Sequence, residues 1–348
     1  MTTQVLICDD SSFARKQMFR ALPSSWNVDV HYASNGIEAL DHIRNGRGEI
    51  LFLDLNMPVM DGYQTLEAIV KEDLPAMTIV ISGDIQPEAH KRVKALGALD
   101  FIKKPVDSAY VEQILNSYGI TFEHKSEVVS HTDTDKDKDK DKDKDKDKDK
   151  DKEFDLDDSY KELANVAMGR AADLLARLLD AFVEMPIPNV KHLEINDLEM
   201  AMQHIKIDDS ISAVCQGFIG SGVAGEALMI FNESSYSDIA ELMKFDGEIT
   251  EVAQLELLMD ISSVLCNACL NGISDQLDIN FSIGHPMIIG RHIHFDDILK
   301  GSSTQWNKLL TIEMGYKIEN RNINCDLLLL ITEDSIEALN ERVSYLLG

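Results

Sequence analysis

Asp158, Glu162 and Asn165 stand at i, i+4 and i+7, so on a helix their side chains share one face. A carboxylate there can pair with a cation. The carboxamide one turn on can hold a water with its oxygen and its NH2 group. Asp9, Asp10 and Asp54 form a second set. Three carboxylates converging on one point would repel unless a cation neutralised them. All-oxygen ligands in an open site suit Mg²⁺, which keeps waters and also takes phosphate oxygens. Asp54 would then be the nucleophile toward phosphorus, with Lys104 holding the phosphoryl group beside the cation.

The first set recurs. Glu256, Asp260, Ser263 and Pro286 repeat the spacing of Asp158, Glu162, Asn165 and Pro188, with three, two and 22 residues between the marked positions of each copy. An internal duplication follows from this. The second copy is weaker chemically. Asp260 is one methylene shorter than Glu162, and Ser263 offers one hydroxyl where Asn165 offers two arms. A weak or dead second site is expected.

The elements that must position these groups fall into two units. In residues 1–122, short apolar runs at Val5–Cys8, Val28–Tyr32, Ile50–Leu53, Met77–Ile81 and Phe101–Ile102 alternate with helical patterns near 12–22, 36–46, 62–71, 87–96 and 107–117. Five such repeats imply an α/β fold with a doubly wound, five-stranded parallel sheet. Its functional groups should gather at the carboxyl ends of the strands, where Asp9, Asp10, Asp54, Ser82 and Lys104 fall.

Residues 153–348 open with a long amphipathic helix whose Leu163, Val166, Ala167, Leu174, Leu175, Leu178 and Leu179 would face a core. Pro186 and Pro188 would end it. Strands are expected at Ser212–Ile219, Gly225–Phe231, Pro286–Phe295, Lys308–Ile318 and Asn322–Ile331, with helices near Ser235–Lys244, Thr250–Asp275 and Asp334–Leu346. This reads as a pseudo-symmetric α+β domain, two long helices over an antiparallel sheet. Between the units, 123–152 is mostly an Asp-Lys alternation. It can bury no apolar area and puts like charges at i, i+4, so it reads as a disordered linker.

The net charge is −28, of which −5 falls on residues 1–125, −2 on 126–152 and −21 on 153–348. Such a balance opposes binding to nucleic acid or to an anionic membrane. Five scattered cysteines suit reduced thiols, and no run of about 20 apolar residues is present, so a cytoplasmic protein is expected. Cys266 and Cys269 lie among Leu265, Ala268 and Leu270 and read as packed small hydrophobes. His285, His292 and His294 lack a thiol or carboxylate at ligand spacing and read as surface histidines.

Over residues 1–122 the set Asp9, Asp10, Asp54, Ser82 and Lys104 resembles the CheY-like receiver of two-component response regulators. That resemblance implies that Asp54 is phosphorylated by a histidine kinase. It implies that the main-chain carbonyl of Asn56 joins Asp9, Asp10 and Asp54 around Mg²⁺, and that Ser82 and Phe101 form a switch pair. At Asp158, Glu162, Asn165 and Pro188, the second unit resembles the CheC/CheX/FliY chemotaxis phosphatases. The implication is an enzyme acting on an aspartyl-phosphorylated receiver, free or its own. Glu162 would pair with the receiver lysine and Asn165 would hold the attacking water. Alternatives are a phosphorylation-dependent binding module and a phosphate sink; oligomeric state, a homodimer included, is left open.

Overall fold

The computed structural model describes residues 2–120, 156–194, 211–232, 235–293 and 308–346. The linker and His294 lie outside them, as does the side chain of His292.

The first unit alternates strand and helix: β1 (Thr3–Cys8), α1 (Ser12–Ala21), β2 (Val28–Ala33), α2 (Gly36–Arg44), β3 (Ile50–Leu53), α3 (Gly62–Lys71), β4 (Met77–Ser82), α4 (Pro87–Ala95), β5 (Asp100–Lys103) and α5 (Ser108–Ser117). All five strands are parallel in the order β2-β1-β3-β4-β5. The central strand β3 reads ILFL and is buried throughout, as a strand covered on both faces must be. Leu6, Leu51, Leu53 and Val80 pack on one side; Val5, Ile7, Ile50, Phe52 and Ile102 pack on the other. Asp9 follows β1, Asp54 follows β3, Ser82 ends β4 and Lys104 follows β5, so the chemistry collects at one end of the sheet.

The second unit contains α6 (Leu156–Leu179), β6 (Val183–Glu184), β7 (Asn189–Glu194), β8 (Ile211–Gly220), β9 (Val223–Asn232), α7 (Tyr236–Leu242), α8 (Glu251–Leu277), β10 (Ser282–Ile283), β11 (Met287–Ile293), β12 (Lys308–Ile318), β13 (Asn324–Thr332) and α9 (Glu333–Tyr345). Its sheet is antiparallel, in the order β10-β8-β9-β13-β12-β6, with β11 also on β8 and β7 also on β12. Leu163, Ala167, Ala171 and Leu175 of α6 share one core with Leu258, Leu265 and Cys269 of α8 and with Leu310, Leu327 and Leu329 of the sheet. The helices cross closely at Gly272, where an added Cβ would stand 2.9 Å from the Ala167 Cα. Although α8 is apolar enough to cross a membrane by composition, its residues are mostly core.

Two expectations need correction, and three strands add to them. The helix α6 ends at Leu179, well before Pro186, because Asp180 takes a left-handed φ of 51°. The prolines instead lie between β6 and β7. Leu174 and Leu178 are 47% and 39% exposed and face away from the core. Their position on the helix lies at the edge of the apolar stripe, where spacing alone does not separate inside from outside. The short strands β6, β7 and β10 were not anticipated. Two of them have only two residues, too few to carry a period.

Candidate functional site

The side chains singled out in the two units meet at one centre. Lys104 is 3% exposed, and its Nζ lies 2.7 Å from Asp9 Oδ2 and 2.9 Å from Asp54 Oδ1. From the second unit, Glu162 reaches the same ammonium with Oε1 at 3.2 Å and Oε2 at 3.3 Å. The face of α6 that carries Glu162 therefore covers the carboxyl ends of the receiver-like strands.

Helical spacing places the other contacts. Four residues before Glu162, Asp158 Oδ2 accepts from Ser12 Oγ at 2.7 Å and from the Phe13 N–H at 3.0 Å. A carboxylate from one unit thus caps the start of α1 in the other, where unpaired N–H groups and the helix dipole favour negative charge. Beyond Glu162, the backbone of Asn165 and Val166 lies against Gly83, the residue after β4. A Cβ built on Gly83 would stand 3.0 Å from the Asn165 carbonyl oxygen. Asn165 Oδ1 is buried and has no hydrogen-bond partner. One turn further, a Cβ on Gly169 would stand 1.8 Å from the Gly83 carbonyl oxygen. Residues 158, 162, 165, 166 and 169 form one continuous stripe, and glycine ends it because main chain meets main chain there.

A third contact lies outside the centre. Gln86, the residue before α4, is 1% exposed. Its Nε2 donates to the Val183 carbonyl at 2.8 Å and its Oε1 accepts from the Val183 N–H at 2.9 Å. Farther along α4, Arg92 donates to both carboxylate oxygens of Glu319 at 2.8 and 2.7 Å. Its guanidinium also lies 4.1 Å from the Phe182 ring centroid.

The electrostatics follow from burial. Burial alone would lower the Lys104 pKa, but Asp54, Asp9 and Glu162 outweigh it and hold the ammonium well above its ordinary value. Burial pushes Asp9 up to about 8, with Lys104 pulling it down while Asp54 and Glu162 push it further up. Asp10 rises to about 7 through burial and the neighbouring Asp9 and Asp54. Glu162 is raised by its own burial against the pull of Lys104. One ammonium does not neutralise this many carboxylates, so the cluster favours a further positive charge. Asp9, Asp10 and Asp54 can each present an oxygen with all three within 4.8 Å of one another. That donor set fits a hard divalent cation.

Of the remaining expected residues, Ser82 is buried and its Oγ accepts from the Asp84 N–H at 3.1 Å. Phe101 is 3% exposed and already points inward, its ring centroid 3.8 Å from that of His90. Asn56 donates its N–H to Asp54 Oδ2 at 2.8 Å. Pro188 is buried beside β7. The second set does not join the centre: Glu256 and Asp260 are exposed on α8 and Ser263 is half-buried. Cys266 and Cys269 are buried free thiols, and burial pushes Cys266 up to about 12. His285 is exposed.

Sequence reasoning missed Gly83, Gln86, Arg92, Gly169, Phe182 and Glu319. Gly169 left a signal, since a glycine inside a helix costs about 1 kcal/mol relative to alanine and asks for a reason. It also falls in register with Asp158, Glu162 and Asn165.

Comparison with known proteins places the first unit. Residues 5–116 match the family model for the response regulator receiver domain. A protein-glutamate methylesterase/protein-glutamine glutaminase of Bacillus licheniformis is 37% identical over 112 residues, covering 31% of each chain. A second, from Geobacter sulfurreducens, is 40% identical over 103 residues, covering 29% of this chain and 28% of its own. The match therefore spans under a third of these relatives' length. Among solved structures, FliY of Thermotoga maritima is 18% identical with a TM-score of 0.43, covering 54% of this chain and 96% of its own. A chain of the CheX-CheY-BeF3-Mg complex from Borrelia burgdorferi is 34% identical with a TM-score of 0.32, covering 34% and 90%. The first unit, with its five parallel strands and its acidic end, is a response-regulator receiver domain.

Proposed function

We propose that this chain is a response regulator with three parts: a receiver at 1–122, a linker at 123–152 and an output unit at 153–348 that hydrolyses the aspartyl phosphate of a receiver, its own included. One observation carries this reading: the output unit places the Glu162 carboxylate on the receiver's Lys104. On the same face, Asp158 grips α1 and Asn165 keeps a buried amide oxygen without a partner.

The chemistry assigned to these residues is modest in kind. Glu162 orients the output unit on Lys104, and Asn165 holds a water in line with the phosphorus. The water oxygen bonds to phosphorus as the P–O bond to Asp54 breaks. Asp54 regains its carboxylate, and the two protons of the water leave on inorganic phosphate. Such a reaction needs a placed nucleophile more than a strong base, because positioning removes a large entropic barrier. Asp9, Asp10 and Asp54, with the main-chain carbonyl of Asn56, would hold Mg²⁺. When bound, the ion offsets charge on the phosphoryl oxygens. Ser82 is assigned to the phosphoryl group and Phe101 to the switch that follows it. Phosphate reaches Asp54 from a histidine kinase.

The output unit reads as an internal duplication. The first copy comprises α6 with β6 and β7, the latter two on β12. The second comprises α8 with β10 and β11, on β8. Glu256, Asp260, Ser263 and Pro286 are the degenerate counterpart of the working set. A second reading, a docking module without significant catalysis, is favoured by the fact that these contacts form with Asp54 unmodified.

The test is phosphate loss from Asp54, loaded with a small phosphodonor in the full-length chain. Asn165→Ala and Glu162→Ala should each slow it about a hundredfold, the size expected when a placed nucleophile is lost. Unchanged decay in both variants removes the enzymatic reading and leaves docking.

A further inference from the structure

Among the described residues β6 is the last strand of the output sheet, and an outermost strand leaves backbone groups unpaired. At Val183 both groups are used, but by a side chain. The Gln86 carboxamide offers one N–H and one C=O in the geometry of a neighbouring strand. The loop before α4 frees Gln86 for this task. Its own N–H is bound by Asp84 Oδ1 at 3.0 Å, and Pro87 begins the helix without needing a side-chain cap.

Net charge does not drive this meeting. The output segment carries −21 and the receiver segment −5, so at long range the two repel. Attraction must come from specific cations. Besides the buried Lys104, Arg92 supplies one, with two charge-assisted bonds to Glu319 and its guanidinium over Phe182. Neither Gln86 nor Arg92 touches the reaction centre.

We infer that the output unit recognises its own receiver through this second surface, Gln86 on the β6 edge and Arg92 between Glu319 and Phe182, and that these residues set which receiver it accepts. The inference rests on the proposed phosphatase reading for its consequence but not for the contact itself. Lys104 and Glu162 hold the reaction centre. Gln86 and Arg92 are positioning residues that make the docking selective. A receiver lacking the amide leaves the Val183 N–H and C=O unpaired against it, and one lacking the arginine leaves Glu319 without its cation.

The test uses the full-length chain with three substitutions and two readouts. Arg92→Glu faces Glu319 with a like charge, Glu319→Arg faces Arg92 likewise, and the double variant restores the pair in reverse. Small-angle scattering of the unphosphorylated chain reads docking, and decay of phosphate on Asp54 reads its consequence. Each single variant should expand the chain and slow decay about tenfold. The double variant should return both readouts to within about twofold of the parent. Gln86→Glu should also expand the chain, because a carboxylate has no N–H to give the Val183 carbonyl. Single variants as compact as the parent overturn the inference, as does a double variant no better than either single. If Glu162→Ala leaves decay unchanged while Arg92→Glu still expands the chain, the phosphatase reading fails and the recognition surface stands.

Discussion

Replacing Gly169 by alanine adds one methyl group, and its cost follows from a distance. The new Cβ would stand 1.8 Å from the Gly83 carbonyl oxygen, 2.5 Å from the Gly83 carbonyl carbon and 3.1 Å from the Asp84 nitrogen. All three are main-chain atoms, so no rotamer change relieves the clash. An ordinary contact begins near 3.4 Å, so α6 and the loop after β4 must part by roughly 1.6 Å. Carried to the centre, that displacement takes Glu162 from 3.2 Å to well beyond ion-pair range of Lys104. It moves a water held by Asn165 by a similar amount. A misplacement near 1 Å costs about a hundredfold in rate. Within α6, alanine is the better residue by about 1 kcal/mol. Gly169→Ala should therefore slow phosphate loss from Asp54 at least a hundredfold while leaving the thermal midpoint of the output unit unchanged or higher. Gly83→Ala should be milder, since its Cβ meets the Asn165 carbonyl oxygen at 3.0 Å. Parent-like decay in Gly169→Ala would falsify the docked geometry as the reacting one.

Two further outcomes follow from the same geometry. In divalent-free solution, docking should weaken as pH rises. Docking buries Glu162, which raises it, and Glu162 pushes the buried Asp9 up further, to about 8, so the docked state holds more protons. The contribution of these groups is full below the ordinary carboxylate range and is lost as pH climbs through about 8. A scattering radius that stays flat or shrinks from pH 5 to 9 contradicts this. On the second helix, Asp260→Ala and Ser263→Ala should leave decay within about twofold of the parent. Besides their weaker chemistry, the position matching Gly169 is Asn267, whose side chain would block a receiver loop from approaching as Gly83 approaches α6. A tenfold loss in either variant revives that site.

Much of this was legible in the residues because the receiver's elements are local. Five apolar runs and five helical patterns each declare themselves within about ten residues, and Asp9, Asp54, Ser82 and Lys104 fall at strand ends by counting alone. The α6 motif was legible because helical spacing is short. What stayed hidden depends on contacts between distant segments. Gln86 and Val183 are separated by 97 residues and Arg92 and Glu319 by 227, and in sequence each is an unremarkable polar or apolar residue. Val166 fits the core spacing, yet it is buried against Gly83. An apolar residue records that it will be covered, without recording by what.

Asp54 is 2% exposed when the two units are together. A nearby cavity, about 10 Å³ and lined by Asp9, Asp54, Lys104 and Glu162, has room for roughly one water. A phosphoryl donor has no approach to that carboxylate while the unmodified units stay together. If the output unit is the phosphatase proposed above, writing the signal and erasing it require opposite states of one joint. The lifetime of the message could then be no shorter than the time the joint stays open, since hydrolysis waits for closure however fast it is.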